Sequence, residues 1–176
     1  MASKRRTIRS CVSSMIERLN GESKKAKSEK AAWRHAFADP ICGNIKAWGL
    51  LQRDMPKDLK REYGDASYEE KAVYMAVAAY AACGAKTDNM TLGSAAAVLG
   101  PGHRERFTRL ENSPDIDTLW RNLKDILRLI SSKNGKGIDY GLLACDLYDW
   151  QFNRVTAARN WERNYYNIEG QEETNE

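Results

Sequence analysis

Thr91-Leu92-Gly93-Ser94-Ala95-Ala96-Ala97-Val98-Leu99-Gly100-Pro101-Gly102-His103-Arg104-Glu105-Arg106-Phe107-Thr108-Arg109-Leu110 divides the chain in two. Its first residues are tiny, so two backbones can come close there. Gly100-Pro101-Gly102 then breaks any helix and turns the chain. A basic helix start comes next, with three arginines between Arg104 and Arg109. The residues before this stretch read as one helical lobe and those after it as another.

Working outward, the composition is that of a folded helical protein. The 176 residues are enough for a real core, and 42% are hydrophobic. Proline is scarce, at 4 residues, and helix formers dominate. No sustained alternation marks a strand, and no period repeats. The expected fold is all-α, in two small helical bundles: residues 1–90, residues 91–168, and a disordered acidic tail at 169–176. No apolar run matches a bilayer span and no apolar core comes after the basic N-terminus, so neither membrane insertion nor secretion is expected. Cys11, Cys42, Cys83 and Cys145 are far apart and read as small buried hydrophobes in a reducing cytosol.

Before the dividing stretch, Ile8, Val12, Met15, Ile16 and Leu19 recur at helical spacing and predict a first helix over 5–19. Asn20-Gly21 should end it with a left-handed turn. A second helix over 24–37 carries Ala26, Trp33 and Phe37 inward and Lys27 and Arg34 on its flank. Asp39-Pro40 stops it. A third, over 41–51, should send Ile45, Trp48 and Leu51 to the core. Ser67-Tyr68-Glu69-Glu70 is a capping box, opening a helix over 68–83 that is apolar on most sides and therefore central.

Beyond the dividing stretch, Ser113 and Pro114 should open a helix over 115–131. Ile116, Leu119, Trp120, Leu123, Ile126, Leu127 and Ile130 share one face of it. Arg121, Lys124 and Arg128 share the other, a stripe that can track a phosphate backbone. Helices over 140–150 and 153–166 complete the chain. The last adds a second basic edge of Arg154, Arg159 and Arg163.

Charge sharpens the functional question. The net value is +4, but Glu169, Glu172, Glu173 and Glu176 crowd the end. Without them residues 1–168 carry +8, from 28 basic and 20 acidic side chains. Residues 1–34 hold ten basic residues against three glutamates. Such asymmetry suits a polyanion. Catalytic signatures are missing: there is no phosphate loop, dinucleotide fingerprint, metalloprotease motif or nucleophile elbow. His103 reads as a loop residue beside a basic patch rather than a proton shuttle. Asp146 and Asp149 read as solvent-facing or paired with Arg154 rather than as metal ligands. The expectation is a binding module, with no enzyme activity, cofactor or metal.

One ordered series resembles a known family. It runs Thr91-Leu92-Gly93-x-Ala95, Arg104-x-Arg106-Phe107-x-x-Leu110, Ile116/Leu119/Leu123, Ile138-Asp139-Tyr140-x-x-Leu143-Ala144-x-Asp146-Leu147-x-x-Trp150, then Trp161-x-x-x-Tyr165-Tyr166. It looks like the small subunit (CasB family) of the type I-E CRISPR surveillance complex, Cascade. Where the family often has arginine after Leu-Gly, Ser94 stands here, and no arginine role carries over to it. The resemblance implies a non-catalytic cytoplasmic protein whose two copies lie head to tail in the complex. Its implied partners are the backbone subunits, the large subunit and the guide RNA complex. Its implied task is to hold the displaced non-target single-stranded DNA of the R-loop. The motif carries over Arg104 and Arg106 as nucleic-acid contacts. Charge and helical spacing add Lys24, Lys27, Lys30, Arg34, Arg109, Arg121, Lys124 and Arg128. Leu92, Phe107, Trp150 and Trp161 are expected in the core. The same charge pattern also fits a helical DNA-binding regulator or a protein-only scaffold or adaptor.

Overall fold

A computed structural model describes residues 2–84, 90–134 and 137–172, except the side chains of 134 and 168–172. Among the described residues there is no strand. In chain order the helices are α1 (Ala2–Leu19), α2 (Lys24–Ala38), α3 (Ile45–Asp54), α4 (Tyr68–Cys83), α5 (Leu92–Ala97), α6 (Arg104–Glu111), α7 (Ile116–Asn134), α8 (Tyr140–Trp150) and α9 (Arg154–Glu172). Short 3-10 turns at Lys57–Leu59 and Pro101–His103 precede α4 and α6. The all-α expectation holds. The chain divides into two units, Met1–Ala82 with Tyr140–Tyr148, and Cys83–Asp139 with Asp149–Glu176.

In the first unit α4 is the rod that the other helices enclose. Every residue from Ala72 to Ala81 is buried. Its start is the capping box: Glu70 N donates to Ser67 Oγ at 3.1 Å, and Ser67 N donates to Glu70 Oε2 at 2.7 Å. The reciprocal pair satisfies amides that would otherwise be orphaned at a buried helix end. Around this rod, α1 buries Ile8, Val12, Met15, Ile16 and Leu19, and α2 buries Ala26, Trp33 and Phe37. Each large side chain so buried contributes on the order of 1.5–3 kcal/mol before conformational entropy is counted. Trp33 meets Tyr74 edge-to-face at 5.3 Å, a geometry that the ring quadrupoles favour.

Three local expectations of this unit are corrected. The first helix ends at Leu19, but neither Asn20 nor Gly21 has positive φ; Asn20 N reaches back to Ile16 O instead, at 3.1 Å. The third helix starts at Ile45, not 41, because residues 40–43 form a turn with Cys42 at φ 59°. Asn44 caps it, accepting from Ala47 N at 3.0 Å. Ile45 consequently sits on the outer side of the first turn and is 81% exposed, while Leu51 is fully buried. Asp146 does not face solvent: its side chain is 15% exposed and lies 4.0 Å from Arg5, so α8 brings its carboxylate to α1.

In the second unit the tiny residues of α5 lie against α9. A Cβ at Gly93 would stand 2.1 Å from the carbonyl oxygen of Trp161, so the two backbones touch where the side chain is missing. Thr91 caps α5 by accepting from Ser94 N at 3.1 Å, and Ser94 Oγ donates to Asn164 O of α9 at 3.3 Å. Gly100, at φ +85°, makes the predicted break. Leu92, Phe107 and Trp161 are buried as expected, and so is Trp150. Phe107 stacks on Tyr165 at 5.3 Å. α7 buries Leu119, Trp120, Leu123, Ile126, Leu127 and Ile130 of the expected face, while Ile116 at its start is half-buried. The cap of α7 is Asp115, whose Oδ1 accepts from Thr118 N at 2.7 Å. Ser113 is buried instead and donates to Arg109 O at 3.2 Å. α9 continues to Glu172, past the point where the tail was expected to begin; 173–176 lie outside the described residues.

Candidate nucleic-acid interface

α6 is only two turns long and buries Phe107 and Leu110. Arg106 and Arg109, three apart, are left on its outer side, neither of them buried. α7 runs beside it with Leu119, Leu123, Ile126, Leu127 and Ile130 inward. Between the outer sides of these two helices lies an open groove of about 520 Å³. Its lining is Arg106 and Arg109 from α6, and Asn122, Asp125, Arg128, Leu129 and Ser132 from α7. Asn122 fixes the helix pair: its Nδ2 donates to Arg109 O at 3.2 Å and to Ser113 Oγ at 3.0 Å.

The groove holds three guanidiniums against one carboxylate. Asp125 Oδ1 stands 3.5 Å from Arg128 Nη1, and both side chains are more than half exposed. A pair so open to water is worth at most about 1 kcal/mol, so a phosphate can compete for Arg128. Guanidiniums present planar forks of donors that match phosphate oxygens.

The remaining expected contacts are spread more widely. Arg121 is exposed on α7 but is not part of the groove lining. Lys124 is half-buried, with Nζ 5.4 Å above the Trp120 ring. In the first unit Lys24 and Lys27 are exposed on α2. Lys30 Nζ sits 5.1 Å over the Tyr80 ring, and burial, then the charge of Arg34, holds its pKa below the usual lysine value. Arg34 Nε donates to Ala81 O at 3.0 Å, on the last turn of α4.

Arg104 departs from the sequence expectation. Its Nη2 lies 2.6 and 2.8 Å from the two oxygens of Glu162 and 3.5 Å from Glu111 Oε2. Its guanidinium also lies over the rings of Tyr165, Tyr166 and Phe107, at 4.6, 5.4 and 5.6 Å. This arginine is turned into the second unit, against carboxylates and aromatic faces. Burial, then the neighbouring Glu162, pushes the Glu111 carboxyl up to about 8, while Glu162 lies below the ordinary range through its hydrogen bonds to Glu111 and Arg104.

Sequence reasoning missed other residues that line the grooves. Asn122 and Ser132 carry no charge and so left no signal, although their spacing with Arg128 places them on the groove side. Arg6 lines a groove of about 440 Å³ with Thr7, Ser10 and Ser14 of α1 and with Asp54; the basic excess of residues 1–34 was its only trace. His103 Nε2 lies 2.9 Å from Lys133 Nζ, which places it beside the basic surface. Among the described residues no cluster could hold a metal ion.

Comparison with known proteins adds to this geometry. The family model described as CRISPR-associated protein Cse2 matches residues 11–166. A CRISPR-associated protein of the Cse2 family from Thermus thermophilus superposes with a TM-score of 0.73 at 25% identity, over 93% of this chain and 97% of that one. M. ruber CasB gives 0.71 at 22%, over 93% and 97%. CasB from Thermobifida fusca gives 0.68 at 21%, over 92% and 97%. No curated protein matches the chain.

Proposed function

The chain belongs to the CRISPR-associated Cse2 family, and from that premise we propose that it is the non-catalytic small subunit of a type I-E Cascade complex. In this reading it holds the displaced non-target strand while the guide RNA pairs with the target strand. The observation that carries the reading is the α6–α7 groove, where Arg106, Arg109 and Arg128 converge from two helices. Exchange of a DNA duplex for an RNA–DNA hybrid is nearly balanced in free energy. A few arginine contacts to the phosphates of the released strand therefore suffice to bias it against reannealing. Such contacts read no base edges and give a sequence-independent grip. Arg121 of α7 adds an exposed cation in the second unit, and Lys24 and Lys27 of α2 add two in the first. Arg104 is left out of the contact set because its charge is already answered by Glu162.

In the same reading the protein works in the cytoplasm. No helix among the described residues is long and apolar enough to cross a membrane. Two copies stand head to tail, against the backbone and large subunits that carry the guide RNA. Ile45 and Tyr63, 81% and 86% exposed, offer apolar surface for such protein contacts.

The test is R-loop lifetime in the reconstituted complex at physiological salt. Arg106→Glu with Arg109→Glu is expected to leave assembly intact and to shorten R-loop lifetime at least tenfold, on the order of one phosphate contact's free energy or more. A variant complex that assembles normally and holds its R-loop as long as the wild type would refute the groove assignment. A companion pair, Arg121→Glu with Lys124→Glu, reports on the outer stripe of α7. If both pairs are silent, the basic faces serve protein contacts alone.

A further inference from the structure

We propose that Arg104, Glu111 and Glu162 form a proton-dependent latch that clamps α6 to α9 and thereby sets where Arg106 and Arg109 point. The inference rests on the groove reading of the α6–α7 surface and adds its regulation.

Arg104 opens α6 and Glu111 closes it. Both ends of this two-turn helix meet one residue of α9, Glu162: Arg104 through its guanidinium and Glu111 through a carboxyl–carboxyl hydrogen bond. Phe107 and Leu110 in the core and Asn122 on Arg109 O hold the roll of α6 from the α7 side, and the latch holds it from the α9 side. That roll decides whether Arg106 and Arg109 face the groove, since Phe107 and Leu110 occupy the opposite side. The latch is also walled by ring faces. Phe107 of α6 and Tyr165 of α9 stack on each other and lie against the same guanidinium.

The charge count inside the latch does not close. One guanidinium faces two carboxyls, and the Glu111 side chain is only 9% exposed. A second buried negative charge without its own partner is costly. Two carboxyls that share one site keep a proton between them, and the more buried one holds it. Glu111 is that group, its acid form favoured by burial and by the Glu162 charge. The charged and titratable groups around it are Arg104 on α6 and Glu162, Tyr165 and Tyr166 on α9. Arg154 and Arg159, also on α9, line the shallow cleft that Glu111 borders. Arg104 Nη1 and Glu111 Oε1 are buried without partners. The hydrogen bonding is thus incomplete even with the proton in place, and removal of the proton leaves a buried carboxylate facing Glu162.

A proton lost near pH 8 loosens the α9 side of this hold, leaves α6 anchored from the α7 side only, and lowers the fraction of molecules whose arginines face the groove. Apparent affinity falls with that fraction. The arginines themselves do not titrate in this range, so a pH limb in strand binding that Glu111→Gln removes would report the latch rather than the contacts.

Two measurements on the full chain test this. The first tracks the Glu111 carboxyl carbon by NMR from about pH 4 to 9. A midpoint near 8 is expected; titration in the ordinary glutamate range would overturn the latch. The second measures binding of a fluorescent single-stranded DNA at fixed low salt from about pH 6 to 9. Wild type is expected to lose affinity around pH 8, by at most about tenfold per pH unit because one proton is involved. Glu111→Gln, which is neutral at every pH, is expected to lack that limb. A flat wild-type profile, or the same limb in Glu111→Gln, would overturn the proposal. In parallel, Arg106→Ala with Arg109→Ala should weaken binding at every pH. If that pair binds like wild type, or wild type does not bind at all, the groove reading fails, and the carboxyl titration alone then decides on the latch.

Discussion

At Gly93 a methyl group would have to enter the carbonyl of Trp161, 2.1 Å from the Cβ position, with Asn164 Cβ at 3.0 Å. The nearest atom is backbone, so neither helix can yield by a change of rotamer. Gly93→Ala should cost about 1–3 kcal/mol, the usual range for overpacking, or more if α9 is displaced. Gly49 lies in the interior of α3 with nothing within 4 Å of its Cβ position. There the same substitution removes the helix penalty of glycine and should add about 0.5–1 kcal/mol. Denaturant unfolding of the two variants should give midpoints shifted in opposite directions. Arg104 and Arg106 form a second contrasting pair. Arg104→Ala removes a forked ion pair and leaves Glu162 without its cationic partner, so it should lower the thermal midpoint. Arg106→Ala, on the outer side of α6, should leave the midpoint within the small range of surface changes.

The link between α6 and α9 makes the pH dependence of stability readable at the scale of elements. The folded-state pKa of Glu111 is raised, so between the ordinary glutamate range and about 8 the folded chain holds a proton that the unfolded chain has released. Stability from this group is complete below that window and is lost as pH rises through it. Glu162 and Glu29 are lowered, Glu162 by Glu111 and Arg104, Glu29 by Arg53, so their contributions are present at neutral pH and lost under acid. Thermal midpoints measured from about pH 5 to 9 should thus decline for wild type and decline less for Glu111→Gln. The helices themselves were legible in the sequence because periodicity and caps are local. The faces of α1, α2 and α7 follow from spacing alone, and Ser67 with Glu70 announced α4. The exposed Ile45 was not legible, since it depends on Cys42 turning the chain just before α3 begins. Nor was the role of Arg104. Its partner is 58 residues away on α9, and a charge seen in sequence does not say whether it meets solvent or a carboxylate. Arg106, Arg109 and Arg128 share a groove because α6 packs beside α7, a pairing that helical spacing within either helix cannot reveal.

For the molecule as a whole, a net charge of +4 understates the attraction that a polyanion would feel, because four glutamates are gathered in the last eight residues. What matters for strand binding is how many cations stand in water near one path. In the second unit the groove supplies Arg106, Arg109 and Arg128, with Asp125 as the opposing charge. In the first unit Lys24 and Lys27 of α2 are exposed, whereas Lys30 and Arg34 are engaged with Tyr80 and with Ala81 O. Each phosphate contact releases counterion, and for a single strand contributes about 0.7 to the slope of log affinity against log salt. Arg106→Ala with Arg109→Ala should therefore reduce that slope by about 1.4 if both arginines touch phosphate. Lys24→Ala with Lys27→Ala should reduce it by a similar amount only if the strand also crosses α2. The same strands in poly-dT and mixed-sequence form should give parallel lines if the arginines and lysines meet phosphate alone, because a phosphate contact reads no base. A slope unchanged by the α6 pair but reduced by the α2 pair would move the strand's path from the second unit to the first. Lines that diverge with sequence would instead favour a base-reading regulator over a strand holder.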